Sequence, residues 1–258
     1  MHAPENLSLE AIGSAAAGRV RLLASTANPA EVVAAMACGA DIIDLKDPTQ
    51  GALGAWQITD VRLAVASIAG RCPCSATVGD LPMVAAHLLD AACRMAATGV
   101  DIVKLGFFAG GDQRSIVRAL APAAHEGARL VAVLMADQEP DLDLAPLLAE
   151  AGFWGVMLDT ADKRGGSLRR YLADGPLGRF VAGARECGLI TGLAGSLGVP
   201  DIPPLAALQP DYLGFRGALC GGDRTAGLDP AACAAVREAL QAAAARRFLP
   251  WPASALSA

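Results

Sequence analysis

The stretch Gly39-Ala-Asp-Ile-Ile-Asp-Leu-Lys-Asp-Pro48 predicts a short buried strand that carries charge at its far end. Because residues two apart on a strand share a face, Asp44 and Lys46 point the same way as Ile42. An acid and an amine on an otherwise apolar strand are costly to bury unless they pair or take part in chemistry. A proline and glycines follow within 48–54 and predict a loop with accessible backbone amides. Strand, charged end and loop together indicate a functional site.

Outward from this strand, short apolar runs alternate with helical stretches along the chain. The predicted strands are 19–25, 41–45, 75–78, 101–105, 129–135, 154–158, 189–194 and 212–215. The predicted helices are 31–37, 56–69, 82–97, 113–126, 141–151, one or two within 167–187, 201–208 and 230–246. Asn28-Pro29 opens the first of them, with asparagine as the N-cap and proline at the first helical position.

Alternation at roughly 30 residues per unit in a chain of 258 residues predicts an α/β fold, a single-domain (β/α)8 TIM barrel. An open doubly wound sheet is the chief alternative. A weak internal repeat favours the barrel: 39–46, 99–106, 152–159 and 210–217 each combine a helix stop, a strand and a polar end. We assign 19–246 to the barrel, 1–18 to an N-terminal extension and 247–258 to a C-terminal tail.

Composition excludes several classes of protein. The chain is 53% hydrophobic and 18% charged, which excludes a disordered protein, and its formal net charge of −5 argues against nucleic-acid binding. The longest candidate membrane span, 81–103, is interrupted by Asp90 and Arg94. The N-terminus lacks a basic start followed by an apolar run, so we expect no signal peptide and a cytoplasmic protein.

Cysteine and histidine positions do not suggest a metal site. The cysteines number seven, an odd set, and Cys72-Pro-Cys74 has the wrong spacing for a zinc knuckle or a thioredoxin motif. His87 and His125 fall inside predicted helices. We therefore expect free thiols, no metal and no cofactor.

The chain contains three lysines, Lys46, Lys104 and Lys163, and each lies at or just beyond the end of a predicted strand. Asp44 and Asp159 occupy strand ends as well. In TIM barrels the chemistry takes place at the C-terminal ends of the strands, where these five groups would converge. A lysine amine can lose its proton when it is desolvated and then attack a carbonyl to form a Schiff base, whereas arginine stays protonated. The set predicts an aldolase-like site.

The loops after the seventh and eighth strands predict a phosphate site, since these loops often hold phosphate in this fold. Glycines let backbone amides approach the anion, and arginines add charge. The candidate phosphate-binding residues are Gly195, Ser196, Arg216, Gly217, Gly221, Gly222 and Arg224.

Several motifs in order resemble the (5-formylfuran-3-yl)methyl phosphate synthase family, also called 4-(hydroxymethyl)-2-furancarboxaldehyde-phosphate synthase. The motifs are 39–48 with 51–54, 75–80, 101–106, 158–163, 193–197 and 215–224. The resemblance implies a TIM barrel that condenses two molecules of glyceraldehyde 3-phosphate, with loss of one phosphate and water. The furan aldehyde product would feed methanofuran-type one-carbon cofactors.

By the same resemblance, Lys46 would be the Schiff-base lysine and Lys104 the proton acceptor, with Asp44, Asp159 and Lys163 completing the site. The loop 163–167 departs from the family pattern, because it has arginine and glycine where a Lys/Asp-Gly-Lys sequence is expected.

Two other functions are compatible with the same residues. One is a related Schiff-base aldolase or phosphosugar isomerase, which would need the same lysines. The other is a non-catalytic barrel that binds a phosphometabolite without forming an imine. We expect triose phosphates as small-molecule partners, a homo-oligomer, and neither a nucleic acid nor a membrane as a partner.

Overall fold

A computed structural model describes residues 19–246, and the predicted extension 1–18 and tail 247–258 lie outside them. Within the described residues, eight parallel strands pair in chain order and close into a barrel. The strands are β1 (Arg21–Thr26), β2 (Ile42–Leu45), β3 (Cys74–Thr77), β4 (Ile102–Phe107), β5 (Leu130–Met135), β6 (Gly155–Asp159), β7 (Ile190–Leu193) and β8 (Tyr212–Phe215). The helices are α1 (Pro29–Ala37), α2 (Ile58–Ile68), α3 (Ala85–Ala96), α4 (Gln113–His125), α5 (Ala145–Glu150), α6 (Asp174–Glu186), α7 (Ile202–Ala207) and α8 (Pro230–Arg246).

The predicted TIM barrel is confirmed, and the open sheet is excluded by the pairing of β8 with β1, in which Tyr212 lies opposite Arg21. The helix predicted at 141–151 is shorter than expected, because the stretch divides into a 3-10 turn, Leu142–Leu144, and α5. The stretch 167–187, predicted to hold one or two helices, contains the 3-10 turn Leu168–Arg170 and α6.

The start of α1 follows the local chemistry of its sequence. The Asn28 side chain accepts a hydrogen bond from the Glu31 amide at 3.0 Å, and Pro29 occupies the first turn. The Glu31 carboxylate accepts a further bond from the Ala27 amide at 2.7 Å. A capped amide and a pre-set proline φ stabilise the helix where β1 ends.

The apolar core has two layers, because alternate residues of each strand face opposite sides of the barrel wall. The outer layer fills the space between strands and helices and includes Ile43 and Leu45. The inner layer fills the barrel and includes Ile42, Ile102 and Met157. The inward facing of Ile42 confirms the face predicted for Asp44 and Lys46, and the other two residues set the same face for Lys104 and Asp159.

Across residues 19–246, no helix combines the length and the hydropathy that crossing a bilayer would require. All seven cysteines, which lie within this range, are free thiols, as predicted.

Candidate active site

A cavity of about 430 Å³ opens at the C-terminal ends of the strands. Its volume falls within the range of about 300–1,000 Å³ that is usual for small-molecule sites. Lys46, Lys104, Lys163 and Asp159 line its wall, together with the loops that follow β6, β7 and β8. The strand-end residues singled out in the sequence therefore meet at one place.

The deeper part of the site is an ion pair between β2 and β4. The Lys104 amine lies 3.0 Å from Asp44 Oδ1, and both side chains are almost fully buried. Two serine hydroxyls donate to the same carboxylate: Ser75 to Oδ1 at 2.6 Å and Ser25 to Oδ2 at 2.9 Å. Both oxygens of Asp44 are thus held in place, and the carboxylate in turn orients the Lys104 amine.

The outer part of the site is a carboxylate shared by two amines. Asp159 Oδ2 lies 3.2 Å from the Lys46 amine, and Asp159 Oδ1 lies 2.5 Å from the Lys163 amine. The Thr160 amide donates to Oδ1 at 2.8 Å. The amines of Lys46 and Lys163 are therefore drawn together beside the cavity, and the side chains remain 7% and 10% exposed.

Burial and neighbouring charge act in opposite directions on the deep pair. Burial would raise the pKa of the Asp44 carboxyl, but the charges of Lys104 and Lys46 and the Ser75 hydrogen bond bring this pKa below its ordinary value. Burial lowers the pKa of the Lys104 amine, although Asp44 opposes that shift. Asp44 accordingly remains ionised, and Lys104 loses its proton more easily than a solvent-exposed lysine does.

The outer cluster is shifted in the same way. The charges of Lys163 and Lys46 outweigh burial and hold the pKa of Asp159 well below its usual range. Burial lowers the pKa of Lys163 to about 8, with Asp159 opposing and Lys46 reinforcing the shift. A substantial neutral fraction of the Lys163 amine is therefore present in mildly alkaline solution.

Six of the seven residues predicted to bind phosphate line the cavity, namely Gly195, Ser196, Arg216, Gly217, Gly222 and Arg224. Gly221 lies one residue away, at the end of the 3-10 turn Gly217–Cys220. Gly195 has a φ of +107°, and a Cβ there would lie 2.9 Å from a methyl carbon of Thr160. Only glycine fits this approach of the loop after β7 to the end of β6.

Arg216 is engaged with the protein itself. Its guanidinium forms an ion pair with the buried Glu31 carboxylate. It also donates to the carbonyls of Ser25 at 3.2 Å, Arg224 at 2.7 Å and Ala226 at 2.8 Å. Arg216 thus ties the loop after β8 to the ends of β1 and α1, and it determines where Arg224 lies.

The sequence interpretation missed four residues around the site: Ser25, Ser75, Glu31 and Arg164. The two serines lie at inward-facing positions of β1 and β3, beside other polar residues. The alternation of inward-facing and outward-facing residues along these strands could have identified them. Arg164 lines the cavity directly after Lys163. The sequence feature that pointed to Arg164 was the departure of the loop 163–167 from the family pattern.

A second carboxylate shapes the loop after β2. Asp80, three residues after β3, accepts hydrogen bonds from the amides of Ala52 at 2.7 Å and Leu53 at 2.6 Å. Gly51 passes so close that an added Cβ would lie 2.2 Å from the Asp80 carboxylate. This clamp fixes the loop that follows Lys46 against the chain just after β3. Within 19–246, no cluster of His, Cys, Asp and Glu side chains has the arrangement of a metal site.

Known proteins resemble this chain over most of its length. The family model described as 4-HFC-P synthase matches residues 22–237. The chain belongs to the 4-HFC-P synthase family. It is 37% identical to the (5-formylfuran-3-yl)methyl phosphate synthase of Methanosarcina barkeri, over 80% of this chain and 93% of that protein. It is 45% identical to a Methylorubrum extorquens protein to which the same name is provisionally given, over 90% and 96% of the two chains.

The 4-HFC-P synthase family is a family of enzymes. Other enzymes with low sequence identity to this chain have the same barrel fold. The crystal structure of 3-hexulose-6-phosphate synthase superposes with a TM-score of 0.62 at 18% identity, covering 85% of this chain and 99% of that one. At such identity the likeness concerns the fold alone.

Proposed function

We propose that this enzyme condenses two molecules of glyceraldehyde 3-phosphate into (5-formylfuran-3-yl)methyl phosphate, with Lys46 as the Schiff-base lysine. The observation that carries the proposal is the meeting of all three lysines with Asp44 and Asp159 at one cavity of a 4-HFC-P synthase barrel. An imine-forming amine, a proton acceptor and an anchoring carboxylate are the groups this condensation needs.

The connectivity of the product dictates what happens to the first triose. Its C1 becomes the formyl carbon, and its C3, which loses phosphate, becomes a ring carbon. Attack of the Lys46 amine on the C1 aldehyde gives an imine and releases water. The imine acidifies the C2 hydrogen, Lys104 accepts that proton, and the electron pair expels phosphate from C3. The burial that lowers the pKa of Lys104 supports this role.

The second triose keeps its phosphate and reacts at C2, so it enters as, or is first converted to, the ketone isomer. The enol left on Lys46 attacks this carbon through its C3, which forms the new carbon–carbon bond. The C1 hydroxyl of the second triose then closes the ring on C2 of the first, and two waters leave. Hydrolysis of the imine takes up the water released at the start, so the balance is one phosphate and two waters lost.

Asp159 has a supporting role in this scheme. It holds the amines of Lys46 and Lys163 against one carboxylate and compensates the positive charge of the imine while the phosphate departs. A second candidate for the imine lysine is Lys163, because burial lowers its pKa to about 8. The mapped position of a trapped adduct distinguishes the two.

The loops after β7 and β8 would bind the phosphates, through Gly195, Ser196, Gly217, Gly221, Gly222 and Arg224. Arg216 would position Arg224 by donating a hydrogen bond to its carbonyl. We further propose that the reaction is a lyase reaction without a cofactor, in the cytoplasm, and that the product supplies methanofuran-type cofactors. A homo-oligomer remains a prediction.

The test is reductive trapping. The enzyme is incubated with glyceraldehyde 3-phosphate and borohydride, and its intact mass and tryptic peptides are measured. A triose-derived adduct on Lys46, with furan aldehyde and phosphate formed in parallel samples without borohydride, is the expected result. Phosphate release without any adduct would discard the covalent mechanism. Binding without adduct or phosphate release would leave a phosphometabolite-binding barrel.

A further inference from the structure

The cavity carries more positive charge than its own carboxylates compensate. Six basic side chains line it, namely Lys46, Lys104, Lys163, Arg164, Arg216 and Arg224. Four of them have carboxylate partners: Asp159 serves two lysines, Asp44 serves the third, and Glu31 serves Arg216. This concentration of positive charge occurs in a chain whose formal net charge is −5.

Arg164 and Arg224 are the two basic residues of the cavity that have no carboxylate partner in the described part of the chain. Within residues 19–246, neither forms an ion pair, and the Arg164 guanidinium has no hydrogen-bond partner either. Arg224 donates one bond, from Nη2 to the Gly51 carbonyl at 3.1 Å. Asp223 also lines the cavity, but its carboxylate accepts hydrogen bonds from Thr225 and pairs with neither arginine. The basic side chains therefore outnumber the carboxylates, and the positive potential favours anionic ligands.

The two loops that carry these arginines are fixed on opposite sides of the loop after β7. Arg164 follows Lys163, whose carbonyl accepts a bond from the Ser196 hydroxyl at 3.1 Å, so the loop after β6 is tied to the loop after β7. The loop after β8 is held from the other side by the bond from Arg216 to the Arg224 carbonyl. Since β6, β7 and β8 are neighbours in the barrel, the two arginines flank one stretch of rim.

We infer that the cavity has two phosphate subsites, one at Arg164 and one at Arg224. The assignment rests on the proposed function, which brings two triose phosphates into one cavity. Arg224 reaches Gly51, in the loop that follows Lys46, so it is the guanidinium placed for the phosphate of the triose attached to Lys46, which is the phosphate that leaves. Arg164 then binds the phosphate of the second triose, which is retained in the product.

This division has a chemical consequence that can be measured. If the second triose is bound poorly, the first triose still forms its imine and loses phosphate. Hydrolysis of the remaining enol imine then releases a three-carbon dicarbonyl, 2-oxopropanal, and the net change is one triose phosphate giving one dicarbonyl and one phosphate. Loss of the Arg164 subsite therefore uncouples phosphate release from furan formation.

The experiment compares Arg164→Ala with wild type by the ratio of phosphate released to furan aldehyde formed. We expect a ratio of one for wild type at saturating substrate. For Arg164→Ala we expect a ratio above one, 2-oxopropanal as the by-product, and an increase of about 10- to 100-fold in the substrate concentration needed for furan formation. Arg164→Lys should restore part of the coupling. Arg170→Ala, which removes an exposed charge outside the cavity, is the matched control and should keep the ratio at one.

A direct count of subsites accompanies this measurement. Glycerol 3-phosphate has no carbonyl and cannot form an imine, so calorimetry with it reports anion binding alone. We expect two molecules bound per chain for wild type, and one for Arg164→Ala or Arg224→Ala. A ratio of one with unchanged concentration dependence in Arg164→Ala, or an equal effect of Arg170→Ala, would overturn the inference. Failure of wild type to form furan aldehyde would instead refute the proposed function.

Discussion

The two ends of the barrel both carry aspartates that are buried or partly buried, but the aspartates of the two ends bind different partners. At the N-terminal end, Asp41, Asp101 and Asp211 directly precede β2, β4 and β8. Each accepts a hydrogen bond from a backbone amide of the preceding strand: Leu22 at 2.9 Å, Cys74 at 2.9 Å and Thr191 at 2.7 Å. At the C-terminal end, Asp44 and Asp159 bind lysine amines.

The difference separates stability from chemistry. A carboxylate on a backbone amide fixes two neighbouring strands, and neither group has a reaction to perform. A lysine amine held by a carboxylate has a shifted pKa and can be released to a substrate. Three of the four segments of the sequence repeat that favoured a barrel begin their strands with these aspartates, Asp41, Asp101 and Asp211. In those segments the aspartate before the strand clamps it to its neighbour, and the polar residues at the other end, Lys46 and Lys104 among them, belong to the candidate active site.

Lys46→Arg should have the largest effect on activity. It keeps the positive charge at the C-terminal end of the barrel, but arginine cannot supply a neutral amine. We expect furan formation to fall at least about 10³-fold while the unfolding midpoint stays close to that of wild type. Furan aldehyde and phosphate assays, with thermal unfolding as the control, measure this. Activity near the wild-type level would exclude Lys46 as the imine lysine.

Asp44→Asn should be the most destabilising of the aspartate substitutions, because it leaves the buried Lys104 amine without its counter-charge. We expect a loss of about 3–5 kcal/mol in the free energy of unfolding, together with a loss of activity. Denaturant titration measures it. Adding Lys104→Met should recover much of the stability but no activity, and a double variant as unstable as Asp44→Asn would contradict the ion-pair explanation.

The shifted pKa of Lys163 should make the stability of the protein depend on pH. Burial lowers the folded-state pKa of this amine from 10.5 to about 8, so between these pH values the unfolded chain binds more protons than the folded one. Stability contributed by this residue therefore rises with pH across that window. Relative to Lys163→Met, wild type should gain about 2 to 3 kcal/mol from pH 8 to pH 10.5. A constant difference between the two proteins would show that the lysine is not perturbed.

Asp211→Asn should give the smallest effect and is the matched substitution at the opposite end. The asparagine oxygen can still accept the bond from the Thr191 amide, so we expect a loss of about 1 kcal/mol in the free energy of unfolding. Activity should be unchanged, as measured by the same furan assay. A large loss of activity would mean that the N-terminal end is not purely structural.

Local chemistry was sufficient for much of the fold. The strand 212–215 and the helix 230–246 occur with the predicted bounds, and Asn28 caps α1 as its sequence indicates. The helix predicted at 141–151 was too long, because its apolar pattern continues through a 3-10 turn that local periodicity does not distinguish from a helix.

The partners of the charged residues were far less predictable. Asp44 and Lys46 share a face of one strand, yet Lys46 binds Asp159, 113 residues away, and Asp44 binds Lys104. Arg216 looked like a phosphate ligand from its position in a Gly-rich loop, while its guanidinium is engaged by Glu31 of α1. Such choices depend on which strand ends meet across the barrel.

The sequence by itself determined the alternation of strands and helices, which residues share a face of a strand, and the placement of the lysines in or after strands, because these follow from residue spacing along the chain. Only the tertiary structure decided that two lysines share Asp159, that two serines hold Asp44, and that Arg164 and Arg224 line the cavity without an ion pair among the described residues. The physical reason is that closure and register bring distant strand ends within hydrogen-bonding distance, and no local pattern encodes those distances.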